Sequence, residues 1–466
     1  MTPNQIGLSI LVLAIALLIA KIIRINFKIF SKFFLPSSVI AGFLLLMIGP
    51  EVLGKFLDKS PYGLLTVEML TVFKSLPGLL ITIIFASLFI GKKLPKVKDI
   101  WKTAGPQVAF GQTLAWGQYV VGTLVTLLIL VPFFNASPMA GALIEIAFEG
   151  GHGTAAGLKD TFIELGYPDG AELAMGLATV GIVFGVLIGV FMINWAVRKE
   201  KTAFLKEKKD MDVTEVTGII PKEERVPTSF MTVSPESIEP LALHLGVIAM
   251  AVVFGVLMQK GLIWIEDITW GKTGFYMFKY IPLFPLAMLG GVIVQFFINK
   301  FDKPEIINRQ MIVRLQGLAL DFLLVAAIAA LSLTVIGSNI EVFLILSITG
   351  ILWNTLVFMF LAKRMLPEYW FERGIGDYGQ SMGMTAIGLM LIRIVDTKNK
   401  SKALEAFGYK QLLFEPFVGG GIMTAISVPL IYQFGLIPVF IITLLITLFF
   451  LLLGLFHFGK KKQTTK

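Results

Sequence analysis

Cysteine is absent from the 466 residues, and histidine occurs three times. No disulfide, thiolate nucleophile or cysteine-ligated metal is open to this chain, and nothing in it records a redox compartment. The histidines, His152, His244 and His457, are widely separated, which argues against a zinc centre. Charge is also scarce, at 15% of residues against 56% hydrophobic, with a mean hydropathy of +0.82. That balance excludes a soluble protein. The formal net charge of +9 is scattered between apolar runs and forms no basic stripe with interleaved aromatics, so nucleic acid is not expected as a partner. A signal-peptide pattern is missing too, because Lys21 and Arg24 follow the first apolar run, and no cleavage is expected.

What the chain has is one apolar run after another. At least ten recur, each of roughly 16 to 28 residues, the length a helix needs to cross a hydrocarbon core of ~30 Å. The expected fold is an all-α integral membrane protein with eleven crossing helices, near 6–23, 33–48, 77–91, 107–131, 170–197, 240–258, 281–298, 312–333, 341–362, 410–432 and 436–456. Two glycine-rich stretches, 138–158 and 375–394, are read as re-entrant, entering and leaving on one side. The loops Lys21–Lys32, Lys92–Lys102, Arg198–Arg225, Lys300–Arg314 and Lys363–Lys410, with the Lys460 tail, then share one face. That face collects 33 of the 40 Lys and Arg, leaving Lys55, Lys59, Lys74, Lys159, Lys260, Lys272 and Lys279 opposite. The positive-inside rule makes this a multi-pass protein of the cell (cytoplasmic) membrane, with its amino terminus outside and its carboxyl terminus in the cytoplasm.

Residues 198–239 are dense in charge of both signs without apolar periodicity, and read as a solvated cytoplasmic linker. They divide the chain into residues 1–197 and 240–434, each with five spans and one re-entrant stretch, followed by an extra span and basic tail at 435–466. Five is odd, so the halves insert with opposite orientation. Short matches support an inverted repeat: Thr154-Ala155-Ala156-Gly157-Leu158 pairs with Thr385-Ala386-Ile387-Gly388-Leu389, and Pro36 with Gly42 has the spacing of Pro285 with Gly291.

Polar chemistry gathers in the two glycine-rich stretches. Each backbone group freed by a helix break would cost several kcal/mol in lipid, so a break survives only under cover of protein or a wet cavity. The run Glu149-Gly150-Gly151-His152-Gly153-Thr154 is such a break. Its resuming helix would turn N–H groups toward a carboxylate, and the carbonyls ending the first half-helix would suit a cation. The segment Gly374 to Gly383 offers the same devices from the other face, with Gln380, Ser381, Gly383 and Thr385 as further substrate-binding candidates. Glu145 and Glu149 lie four apart and share a helical face, so they need a cation, a shared proton or a basic partner. They are cation-binding candidates with Asp321 and Asp377, since a carboxylate at mid-membrane costs roughly 2.5–3.5 kcal/mol. His152 reads as a proton acceptor, a hydrogen-bond donor to substrate or a packing residue. Glu415 reads as interfacial, Arg393 as snorkelling or substrate-binding, and Gly419-Gly420-Gly421 as a surface packing against a hairpin.

The Gly150 to Thr154 core G-G-H-G-T, the stretch "FIELGYPDGAELAMGLATVGIVFGVLIG", "VPTSF", "TAIGLM" and "EPFVGGG" resemble the bacterial sodium:glutamate symporter family over most of the chain to about residue 434. The resemblance implies two inverted five-helix repeats, a homodimer with a static scaffold, and sodium-coupled uptake of an acidic amino acid by an elevator-like movement. It implies no cofactor beyond the coupling ion, sodium or alternatively a proton. Glu149 stands where that family typically has serine, Asp377 and Tyr378 occupy a segment usually small and neutral, and Thr424 stands where an acid is usual. A small solute, sodium and membrane lipid are thus the expected partners. Two other classes stay open: a channel with re-entrant loops as its filter, and an enzyme with Glu149 and His152 as an acid–base pair. No nucleophile or cofactor motif accompanies that pair, so no enzymatic activity is expected.

Overall fold

The computed structural model describes residues 2–27, 35–57, 60–92, 97–205, 219–225, 227–273, 276–396 and 400–459, with backbone only for 97–100, 102 and 224. The centre of the linker and the basic tail lie outside the described residues. The principal helices are α1 (Pro3–Asn26), α2 (Ser37–Ile48), α3 (Val67–Ala86), α4 (Val97–Val125, continued to Phe134), α5 (Leu143–Phe148), α6 (Gly151–Gly157), α7 (Asp169–Arg198) and α8 (Pro240–Ile268). They continue with α9 (Leu283–Phe301), α10 (Arg309–Ala329), α11 (Ile340–Met365), α12 (Trp370–Gln380), α13 (Thr385–Val395), α14 (Ala403–Phe414), α15 (Ile422–Phe434) and α16 (Leu436–Leu452, continued to Phe458). Among the described residues there is no strand. Ten helices among those residues, α1 to α4, α7 to α11 and α16, are long and apolar enough to cross a membrane.

Four expected spans differ: the fourth begins at Val97, and the sixth runs on to Ile268, so that Lys260 too is helical. The third, expected near 77–91, is Val67–Ala86, because the Thr66 hydroxyl accepts the Met69 amide at 3.2 Å and starts the helix there. Lys74, read as a loop residue, is therefore helical. The span expected at 410–432 is two helices, α14 and α15. Pro416 lacks an amide hydrogen, and Gly419 and Gly420 take φ of +71° and +97°, so the chain cannot continue as one helix.

The chain divides into two compact units, each drawing on both sides of the linker. Unit 1 comprises Met1–Leu94, Ala156–Thr161 and Met211–Thr334. Its helices approach through glycine. A Cβ at Gly42 of α2 would lie 2.6 Å from the Ile328 Cβ of α10, and one at Gly255 of α8 would lie 2.7 Å from the Ala287 backbone of α9. Gly291 of α9 sits against the Ala86 carbonyl of α3. Leu13, Ile40, Leu45, Phe73 and Val325 form one core of this unit, and Ile90, Ile248, Val294 and Ile312 another.

Unit 2 comprises Pro95–Ala155, Phe162–Asp210 and Val335–Lys466. Helix α4 is its hub, packed by α5, α11, α12, α14 and α16. Gly117 of α4 seats the Trp353 ring of α11, whose indole donates to the Leu114 carbonyl at 3.0 Å. Near the far end of α16, Phe458 fills the space beside Gly105 of α4. Helix α7 is grooved by Gly181, Gly185 and Gly189, four residues apart on one face. A Cβ at the first would lie 2.6 Å from the Met382 carbonyl, at the second 2.7 Å from the Met382 Cβ, and at the third 2.8 Å from Leu391. Small residues at this spacing let one backbone lie against another where lipid supplies no hydrophobic drive. This groove holds the turn between α12 and α13 in place.

Candidate functional site

Three chain interruptions meet inside unit 2. The first follows α5, where the Glu149 and Gly150 amides both donate to the Glu145 carbonyl, at 2.9 and 3.0 Å. Gly151 then takes φ +71°, and a Cβ on it would lie 2.6 Å from the Gly383 carbonyl. Both the conformation and the close approach demand glycine. The second is the turn from Gln380 to Met384, with Gly383 at φ +144°. Beyond it α13 folds back along α12, where a Cβ at Gly379 would lie 2.8 Å from the Gly388 backbone. The third is the Glu415–Gly421 stretch between α14 and α15. The first two tips touch at Gly151 and Gly383.

A side-chain bridge joins the same tips: the Ser381 hydroxyl donates to Glu149 Oε1. The Ser381 carbonyl accepts Gln118 Nε2 of α4 at 2.9 Å and Asn354 Nδ2 of α11 at 2.6 Å, and Gln118 also donates to Asn354 at 3.0 Å. Two amides from two long helices thus satisfy a carbonyl that the end of α12 leaves without an intrahelical donor.

Glu145 is buried completely and is provided with three donors. Tyr119 donates its hydroxyl to Oε2 at 2.5 Å, while the Gly419 amide and the Thr424 hydroxyl donate to Oε1 at 3.1 and 2.7 Å. Asp377 is equally buried and pairs with Lys410 Nζ at 3.0 Å. Lys410 also donates to Gln380 Oε1 at 2.8 Å and sits 3.9 Å from the centre of the Phe414 ring. Glu149 Oε2 and Asp377 Oδ2 are buried with no hydrogen-bond partner among the described residues. Arg373 donates to the Thr103 carbonyl at 2.7 Å, one turn from Asp377 on the same helix.

Of the residues singled out in the sequence, Glu145, Glu149, Asp377, Gln380 and Ser381 come together here, with Gly151 and Gly383 forming the contact between tips. Gly150 accepts the Thr154 hydroxyl at 2.8 Å, and Gly153 is buried within α6. His152 Nε2 pairs with the Thr179 hydroxyl of α7 at 2.8 Å. Thr385 is half-buried and accepts Gln411 Nε2 at 3.1 Å. Asp321 belongs to unit 1 and is exposed, and Arg393 is exposed on α13.

Sequence reasoning missed Tyr119, Gln118, Asn354 and, above all, Lys410. Lys410 was counted among the loop cations, as was Arg373, and both are buried in unit 2. A signal did exist. In "EAFGYKQLLFEPF" the lysine lies three residues after Phe407 and four before Phe414, on one apolar helical stripe, where a solvated loop lysine has no reason to be.

A multi-pass helical protein whose broken helices meet over buried, paired charges has the architecture of a membrane solute transporter. The sodium/glutamate symporter family profile matches residues 5–398, and the chain belongs to that family. It is 24% identical over 324 residues to the sodium/glutamate symporter of Escherichia coli strain K12, covering 67% of this chain and 71% of that one, and equally similar to that of Shigella flexneri. It is 30% identical over 216 residues to the sodium/glutamate symporter of Haemophilus influenzae, covering 45% of this chain and 48% of that one. The family match ends ahead of α14 and the Lys410 it carries.

Proposed function

We propose that this protein is a secondary active transporter that couples sodium entry to uptake of glutamate or a similar small carboxylate, by elevator-type alternating access. The observation that carries the reading is the meeting of two interrupted segments at Gly151 and Gly383, with Glu149 and Ser381 bridging them. Oxygen atoms at this junction suit a hard monovalent cation, and the free amides at the start of α13 suit a carboxylate. Cation binding comes first, because Glu149, with one oxygen lacking a partner among the described residues, would otherwise repel an anionic solute.

The packing pattern supports an inverted repeat. In unit 1, α2 packs on α10 and α9 packs on α3, so the second helix of each half meets the third helix of the other. The two contacts run through Gly42 and Gly291, the equivalent glycines of the sequence repeat. The 138–158 and 375–394 stretches are then the re-entrant elements, and unit 2, which holds the whole charged cluster, is the moving carrier. The chain is placed with its amino terminus outside and works as a homodimer in lipid.

Reconstituted protein is expected to accumulate labelled glutamate only under an inward sodium gradient, with saturable uptake and counterflow. Uptake indifferent to sodium, or a flux that never saturates, would sink the assignment, the latter in favour of a channel.

A further inference from the structure

We infer that the Lys410 ammonium is a built-in cation, occupying at the hairpin tips a seat that a transported sodium ion would otherwise fill. The inference rests on sodium-coupled transport and adds how one of the cation seats is occupied. An ammonium has three N–H groups, and all three directions are taken inside unit 2: Asp377 Oδ1 at 3.0 Å, Gln380 Oε1 at 2.8 Å and the Phe414 ring face at 3.9 Å. None is left to hold a substrate carboxylate. The side chain is also fixed from behind, since a Cβ at Gly111 of α4 would lie 2.6 Å from its Cε.

The ligands are those a sodium ion would use: a carboxylate oxygen and an amide carbonyl, with a second carboxylate, Glu149, bonded to Ser381, the neighbour of Gln380 in the chain. Two carboxylate oxygens of this chain, Asp377 Oδ2 and Glu149 Oε2, are buried and have no hydrogen-bond partner among the described residues. A fixed ammonium cancels the Asp377 charge permanently. The junction can therefore accept an anionic solute with one coupling ion fewer than its acids alone would require. It also explains how Asp377 is kept in a segment expected to be small and neutral.

The test compares purified wild type, Lys410→Gln and the double variant Asp377→Asn/Lys410→Gln in sodium chloride and in choline chloride at equal ionic strength. Lys410→Gln exposes the carboxylate to solution cations and is expected to show a sodium-dependent rise in melting temperature larger than that of wild type by about 2 °C or more, as one added ion site predicts. The double variant, with no charge to balance, is expected to lose this excess and to fold in either salt. A Lys410→Gln response equal to wild type overturns the inference. So does failure of that variant to fold in sodium while the double variant folds, because the ion should then have filled the seat. Sodium-driven uptake by wild type, measured alongside, reports on the transport reading itself, so the two failures are told apart.

Discussion

Glu149 holds a carboxylate whose one oxygen takes the Ser381 hydroxyl while the other has no partner among the described residues. A buried charge left so is costly, and it calls for a bound cation, a shared proton or a basic partner. Glu149→Gln keeps an oxygen for Ser381 and removes the charge. Folding is expected to be retained, with sodium-driven uptake falling roughly tenfold or more, as loss of a charged hydrogen-bonding group worth about 1.5–3 kcal/mol implies. Sodium-induced thermal stabilisation should vanish with it, and an unaltered sodium response would count against the role. Glu145 differs from Glu149 in kind. Tyr119, Thr424 and Gly419 supply it with donors from three directions, so its charge is balanced by protein dipoles.

At the scale of elements, the interrupted helices are rigid because each break is over-determined. Gly151 needs a positive φ, and its α-carbon faces the Gly383 carbonyl at a distance no methyl tolerates. Gly151→Ala is expected to lower stability by about 1–3 kcal/mol through backbone strain alone, and to abolish uptake by pushing the two tips apart. Gly7→Ala in α1 is the matched control, since nothing lies within 4 Å of a Cβ there, and it should leave both melting temperature and uptake near wild type. Equal behaviour of the two variants would mean that contact between the tips is dispensable. The broken α14–α15 element follows the same logic. Its gap supplies the Gly419 amide that holds Glu145, which a continuous helix would have tied up in its own ladder.

For the whole molecule, the division into two units cuts across the sequence halves, as it must if helices of one half pack between those of the other. The charged cluster lies entirely in unit 2. Orientation is testable because the chain has no cysteine of its own. A single cysteine replacing Thr2 is expected to react with a membrane-impermeant maleimide in intact cells, whereas one replacing Thr464 should react only after permeabilisation. The reverse pattern would invert the topology.

Local chemistry in the sequence determined the class of protein, the length of most spans, and the two places where glycine interrupts an apolar run. Hydropathy and backbone freedom act over a few neighbouring residues, and so they are written in order along the chain. Glu145, Glu149 and Asp377 were visible for the same reason, as acids where lipid should exclude them. Only the tertiary structure decided which charges are shared. Lys410 looked like a loop cation because a linear reading assigns a lone charge at the edge of an apolar run to water. Asp377 and Phe414 enclose it only after α12 and α14 have packed together. Asp321 shows the converse, an acid as conspicuous in sequence as the others that the fold leaves exposed in unit 1. A charge buried in a membrane protein is tolerated only beside its partner, and pairing depends on distances that the order of residues does not contain.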